Sequence, residues 1–308
     1  MTNRDFHDPR ATEQRNPRSE RIDVASSLEI VDIMNAEDAR VAGVVRGQRE
    51  QIARAIDLIV GAFKAGGRLL YVGAGTSGRL GVLDATECPP TFGVPSTMVT
   101  GVIAGGYPAL VKSAEGAEDD VNAGMVAMDT AQVTNRDVVV GIAASGTTPY
   151  VRAALGKAQT LGATTVLLTC AMPPKVLAET CDVIINPVVG PEVLTGSTRL
   201  KAGTATKLVL NTLSSGAMIR LGKAFGNLMV DLMALSAKLH DRGERIVMEV
   251  GGVSREEARQ AIERAKGSVK LAIVMVRRKV DAAEARRLLE TADGFVRPVV
   301  GDPPPVGR

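Results

Sequence analysis

Tryptophan is absent, and three tyrosines and five phenylalanines make up the aromatic complement of the 308 residues. Stacking platforms for bases are therefore scarce, which argues against a single-stranded nucleic-acid binder. Histidine occurs only at His7 and His240, neither in a recognisable setting, so a Ser-His-Asp hydrolase has no visible base. Cysteine is confined to Cys88, Cys170 and Cys181, an odd number without ligand spacing. That pattern excludes a disulfide framework, offers no zinc motif, and fits a reducing, cytoplasmic setting. Charge of one sign is lacking too: 37 Lys and Arg against 34 Asp and Glu leave +3. No strong field invites nucleic acid or a membrane surface. No apolar run reaches membrane-spanning length, and the polar start of the chain has neither a signal-peptide core nor a transit-helix pattern.

What is present is an alternation of short apolar runs and helix-length segments. Apolar residues recur at helical spacing from Leu28 to Met34 and from Ile52 to Phe63, predicting two helices before the first strand. Runs at 68–72, 98–103, 138–143, 165–168 and 183–186 are apolar on both faces, as in a parallel sheet covered by helices on both sides. The expected fold is α/β, a doubly wound parallel five-stranded sheet flanked by helices. A helix is expected through Leu200 to Leu213, and another from Asn227 through Leu228, Val230, Met233 and Leu235. A small C-terminal helical module follows in three patterns, 255–264, 269–278 and 282–289, with Gly294 as a stop. This divides the chain into a disordered or partner-ordered segment 1–18, a main domain 19–240, a helical module 241–300 and a flexible Pro- and Gly-rich tail 301–308.

Two segments repeat one design. RLLYVGAGTSGRL (68–80) and DVVVGIAASGTTPY (137–150) each run strand, glycine- and hydroxyl-rich turn, helix. Amide groups at the helix start and the hydroxyls of Thr76, Ser77, Ser145, Thr147 and Thr148 suit a phosphate group on a small metabolite. GAGTSG also satisfies the dinucleotide fingerprint, but no acidic residue closes the next strand, where Ala104-Gly105-Gly106 stands. No Walker lysine sequence is present either. One such turn would be no more than a strand-to-helix connection. Two of them, both crowded with hydroxyls at strand ends, favour a shared phosphate site.

Between the turns lie two carboxyls able to do acid–base work. Glu87 in DATECPP is expected just past a helix that Pro89-Pro90 ends. Glu118 in KSAEGAEDD sits in an acidic cluster whose plainer reading is the solvated start of a helix. Cleaving a neutral carbon–oxygen bond calls for two separately tuned carboxyls, which favours the pair. The methionines read as core filler, and Arg277, Arg278, Arg286 and Arg287 as a solvated face.

The segments VGAGTSGRLGVLDATECPPTFGVP, IAGG, GIAASGTTPYV and NPVVGPEVLTGSTRLKAGTATKLVLN resemble the N-acetylmuramic acid 6-phosphate etherases, members of the sugar-isomerase (SIS) domain superfamily. The resemblance runs from about Glu13 to the end of the helical tail. It implies an SIS-type sheet and a cytoplasmic carbon–oxygen lyase of cell-wall amino-sugar recycling, which cleaves the D-lactyl ether of N-acetylmuramic acid 6-phosphate with water. Elimination then hydration would give N-acetylglucosamine 6-phosphate and D-lactate, with no metal or organic cofactor. It makes Glu87 the acid that protonates departing lactate, Glu118 the second catalytic carboxyl, and Thr76, Ser77, Ser145, Thr147 and Thr148 the phosphate-binding group. Glu192 and Ser197 would stand at the pocket rim and bind substrate, with an N-capped strand-to-helix loop as the alternative. A homodimer is implied as well. The alternatives are a non-catalytic sugar-phosphate sensor, as among the glucokinase regulatory proteins, and an aldose–ketose phosphosugar isomerase.

Overall fold

A computed structural model of the chain describes residues 10–173, 175–232 and 237–305. The chain groups into two compact units, one holding the residues up to Thr86 and Thr97–Ser214, the other Glu87–Ser96 and the residues from Ser215 onward.

The first unit opens with helices α1 (Ser27–Asp38), α2 (Val41–Arg46) and α3 (Arg49–Lys64). Three helices thus precede the sheet where periodicity alone gives two, because α2 lies between the two apolar patterns and Gly47-Gln48 separates it from α3. Then follow β1 (Leu69–Gly73), α4 (Gly75–Phe92), β2 (Val99–Ile103), α5 (Val121–Thr130), β3 (Val138–Ile142), α6 (Pro149–Thr160), β4 (Thr164–Leu168), α7 (Lys175–Thr180), β5 (Val183–Ile185) and α8 (Lys201–Arg220). The five strands are parallel in the order β2-β1-β3-β4-β5. All five residues of β1 and of β3 are buried, as continuous apolar runs require when helices cover both faces. Leu70, Val72, Val139, Leu155 and Leu167 lie in one core beneath α5 and α6. At the starts of β1 and β3, Asp137 accepts from the Arg68 backbone N–H at 2.8 Å and pairs with its guanidinium at 2.8 Å, which fixes the register of the two strands.

The second unit has its own core. An antiparallel hairpin, β6 (Ala224–Phe225) and β7 (Leu228–Met229), precedes α9 (Ala237–Gly251), α10 (Arg255–Arg264), α11 (Val269–Arg278), α12 (Ala282–Thr291) and α13 (Arg297–Val300). Ser254, Ser268 and Asp281 cap α10, α11 and α12 through their side chains. Phe225, Val230, Val247, Ala272 and Val296 meet in the core.

One expectation is corrected here. The helix expected from Asn227 is the β6-β7 hairpin over residues 228–229, since Gly226-Asn227 makes a two-residue turn that apolar spacing alone does not reveal. Met233 and Leu235 of that pattern lie outside the described residues. The compact units divide at Ser214 and Ser215, and Phe225, Val230 and Leu232 pack into the C-terminal core. Within residues 10–18, Thr12 is fully buried, and Asn16 donates to the Pro191 carbonyl at 3.1 Å. Pro303 of the tail lies beside the hairpin turn, where a Cβ placed on Gly226 would meet it at 3.0 Å. Among the described residues, no helix is long and apolar enough to cross a membrane.

Candidate functional site

The strand order reverses direction between β1 and β3, and ligands of doubly wound sheets sit outside the carboxyl ends of the strands at that switch point. Both hydroxyl turns occupy it. Gly73 at the end of β1 stands opposite Ile142 at the end of β3, so the turns that follow are neighbours. Thr76 and Ser77 lie in the first turn of α4, where backbone N–H groups lack helical partners. Close packing places that turn: a Cβ on Gly78 would come within 2.6 Å of the Ile103 side chain and 2.7 Å of the Gly73 carbonyl oxygen. Only glycine lets α4 start this near the strand.

In the second turn the Ser145 and Thr147 hydroxyls are 3.1 Å apart, and the Thr147 backbone N–H donates to Ser145 Oγ at 3.4 Å. Thr148 is the N-cap residue of α6, followed by Pro149 at its first position. A Cβ on Gly203 would lie 3.7 Å from the Thr76 methyl, so the start of α8 stands against the first turn as well. The two hydroxyl turns and the loop before α8 therefore line one end of the sheet.

Glu118 belongs to a short 3-10 turn, Ala117–Asp119, just ahead of α5, whose N-cap is Asp120. It is exposed and lines a cavity of about 150 Å³ together with Gly75, Arg79, Ala104, Ser113 and Glu115. The first hydroxyl turn and this carboxyl thus share a wall. Sequence reasoning missed Arg79, which donates to the Leu110 carbonyl at 3.0 Å and the Lys112 carbonyl at 3.2 Å. It pins the loop leading to Glu118. Arg79→Ala should speed amide exchange across residues 110–118 by roughly 10- to 100-fold, the equivalent of losing charge-assisted hydrogen bonds. Unchanged exchange would show that the loop holds itself.

Glu87 does not follow the end of a helix. It is exposed within α4, which continues through Pro89 and Pro90 to Phe92. Each proline removes one donor near the helix end, and the stop is instead Gly93, whose φ of 62° sets the left-handed conformation. Glu87 groups with the second compact unit.

Glu192 lies in the loop that precedes α8. It is fully buried, and its carboxylate accepts from the backbone N–H of Lys201 at 3.0 Å and of Ala202 at 2.9 Å. Both oxygens cap α8, the alternative reading of this residue, and hold the start of that helix. Burial pushes its carboxyl up, against the two amides and the Lys201 charge. Ser197 lies half-buried in the same loop, its backbone N–H donating to the Leu194 carbonyl at 3.0 Å.

Beneath this loop is a charge cluster that no sequence pattern announces. Lys201 pairs with Glu37, side chains 3% and 2% exposed, and also donates to the Val189 carbonyl at 3.2 Å. Glu37 accepts further from Asn16 at 2.9 Å and Arg18 at 2.8 Å. Burial alone would raise the Glu37 carboxyl, but the bonds from Lys201, Asn16 and Arg18 outweigh it and draw it down to about 2. A second buried acid, Asp84 in α4, accepts from Tyr71 Oη at 2.9 Å and Ser214 Oγ at 3.1 Å, and burial pushes its carboxyl up. Its only sequence signal is a charge inside the apolar run GVLDA. Among the described residues, no group of three His, Cys, Asp or Glu could hold a metal ion.

The model of the glucokinase regulatory protein N-terminal SIS domain matches residues 51–159. The N-acetylmuramic acid 6-phosphate etherase of Edwardsiella ictaluri is 52% identical, covering 96% of this chain and 98% of its own. That of Mesorhizobium japonicum is 52% identical, covering 95% of both, and N-acetylmuramic acid 6-phosphate etherase 2 of Vibrio parahaemolyticus is 51% identical over 93% and 95%. Agreement at this level along nearly the whole of each chain leaves one conclusion: the protein belongs to the N-acetylmuramic acid 6-phosphate etherase family.

Proposed function

We propose that the chain cleaves the D-lactyl ether of N-acetylmuramic acid 6-phosphate with water, releasing D-lactate and N-acetylglucosamine 6-phosphate in amino-sugar recycling. The observation that carries the reading is the pair of hydroxyl turns on adjacent strands β1 and β3, in a chain of the etherase family. Thr76, Ser77, Ser145, Thr147 and Thr148 hold the 6-phosphate and so fix the sugar relative to the carboxyls. Ser197 completes the rim, and Glu192 acts behind it by holding α8.

The chemistry follows from the substrate. In the open-chain sugar, the C2 proton lies α to the C1 aldehyde and is acidified by it. Glu118 removes that proton, the C3–O bond breaks, and Glu87 delivers a proton to the departing lactate oxygen. Water then adds at C3 of the unsaturated aldehyde. Its proton passes to a carboxylate while C2 is reprotonated, so both carboxyls return to their starting states.

A second copy of the chain forms part of the proposal. Val24, Leu28 and Val31, on and just before α1, are 67%, 71% and 55% exposed, apolar surface that a homodimer would cover. A cytoplasmic location accords with three free thiols.

Incubating the purified protein with N-acetylmuramic acid 6-phosphate and assaying free D-lactate tests the reading. Lactate should appear in equimolar amount with N-acetylglucosamine 6-phosphate. Phosphosugar binding without lactate would point to a sensor, and an aldose–ketose conversion with the ether intact to an isomerase.

A further inference from the structure

The segment before α1 does more than fill space. Arg10 Nη1 donates to Thr147 Oγ1 at 3.2 Å, which places a guanidinium on the second hydroxyl turn from 137 positions away in sequence. The surrounding backbone is tied down. The Gly196 N–H donates to the Thr12 carbonyl at 3.1 Å, and the Thr12 hydroxyl donates to Glu13 Oε1 at 3.1 Å. Further along, Asn16 bonds Glu37 and the Pro191 carbonyl, and Ser19 Oγ donates to the Val193 carbonyl at 2.8 Å. Arg10 is therefore carried by a strap fixed at several points against the loop that precedes α8. It is not a loose surface arm.

The hydroxyl turns need such a group. Hydroxyls and helix-start amides offer only partial positive charge to a phosphate that carries close to two negative charges at neutral pH. A guanidinium supplies a whole charge and a planar fork of five N–H donors, so donating to Thr147 is compatible with donating to a phosphate oxygen beside it. Thr147 in turn stands 3.1 Å from the Ser145 hydroxyl, so cation and hydroxyls form one continuous row of donors.

We infer that Arg10 is a phosphate-binding residue, delivered by the N-terminal strap to the Ser145–Thr148 turn, and that it selects phosphorylated over unphosphorylated sugars. The inference rests on the reading that these turns bind a sugar phosphate. It assigns Arg10 to binding and leaves the bond-breaking steps to the carboxyls.

The test compares wild type, Arg10→Ala and Arg10→Lys in the full-length protein, using lactate release from N-acetylmuramic acid 6-phosphate, competition by inorganic phosphate, and binding of unphosphorylated N-acetylmuramic acid. Arg10→Ala should raise KM by about 10- to 100-fold and weaken inhibition by phosphate by a similar factor, the size expected for charged hydrogen bonds. The loss should be concentrated in KM, and binding of the unphosphorylated sugar should stay at the wild-type level. Arg10→Lys, which keeps the charge and the stem, should recover part of both effects and controls for any folding defect of the alanine variant. Unchanged KM and phosphate inhibition would overturn the assignment. So would losses that fall equally on phosphorylated and unphosphorylated sugar and follow a drop in Tm, the signature of a strap that only supports the fold. Should wild type itself release no lactate, the etherase reading fails separately, and titration of inorganic phosphate into wild type and Arg10→Ala still decides the role of Arg10.

Discussion

Glu118→Gln should lower kcat for lactate release by about a hundred- to ten-thousandfold, the usual worth of a positioned acid or base. The variant keeps the size and hydrogen-bonding capacity of the side chain and removes only its ability to carry a proton. Glu118 is exposed and its turn is held by backbone bonds and by Arg79 elsewhere on the loop, so Tm should barely move. Glu87→Gln should be as damaging to lactate release, yet the two variants part company in a second measurement. Exchange of the C2 proton with solvent deuterium needs the base alone. It should persist in Glu87→Gln and vanish in Glu118→Gln. The opposite pattern would interchange the two roles, and full lactate release by either variant would remove that carboxyl from the mechanism.

Glu37→Ala should have the largest effect on stability, destabilising the first unit by about 3–5 kcal/mol, the range for breaking a buried ion pair from one side. The cost arises because Lys201, 3% exposed, loses the carboxylate it is paired with. Replacing both partners, as in Glu37→Leu with Lys201→Met, should recover most of it, since neither charge is then stranded. Urea unfolding of the three proteins checks the ranking, and a double variant no better than Glu37→Ala would show that the pair's surroundings, not its charges, set the stability.

The same pair fixes the sign of the acid response. The folded-state carboxyl of Glu37 lies at about 2 against an ordinary 4.5, so its contribution is complete above 4.5 and is lost as pH falls towards 2. That drop corresponds to about 3 kcal/mol at roughly 1.36 kcal/mol per pH unit. Asp137, lowered through Arg68 against the opposing effect of burial, acts in the same direction. Asp84 acts in reverse: its carboxyl is raised, so its contribution is present at low pH and fades as pH rises through its folded value. Glu37→Gln should therefore flatten the loss of stability below pH 4.5, and an unaltered acid limb would contradict the assignment.

Much of the fold could be read from the chain because burial on both faces leaves a plain mark. Strands β1 to β5 fall within a residue or so of the apolar runs, and α10 and α11 have the bounds their periodicity gives. In the structure Ser254 and Ser268 cap those helices. The features that escaped depend on partners far away in sequence. Pro89-Pro90 look like a helix stop, but a helix can lose two donors near its end while Gly93 does the terminating. Glu192 looks like an available acid until the amides of Lys201 and Ala202 are seen to occupy it. Arg10 and Glu37 carry no local signal, because each owes its meaning to Thr147 or Lys201, more than a hundred residues on. The hydroxyl turns were legible for the opposite reason: strand, turn and helix are contiguous, and adjacency of β1 and β3 does the rest.

The three thiols have a practical corollary. Burial pushes Cys170 up to about 12 and Cys181 up to about 11, and Cys88 is buried as well, so the native background should resist alkylation at neutral pH. A fluorophore attached through one engineered cysteine on the exposed surface would then report from a single known position. Placed near the start of the chain, it would turn the arrival of a sugar phosphate into an optical signal without any need to strip the protein of its own sulfur.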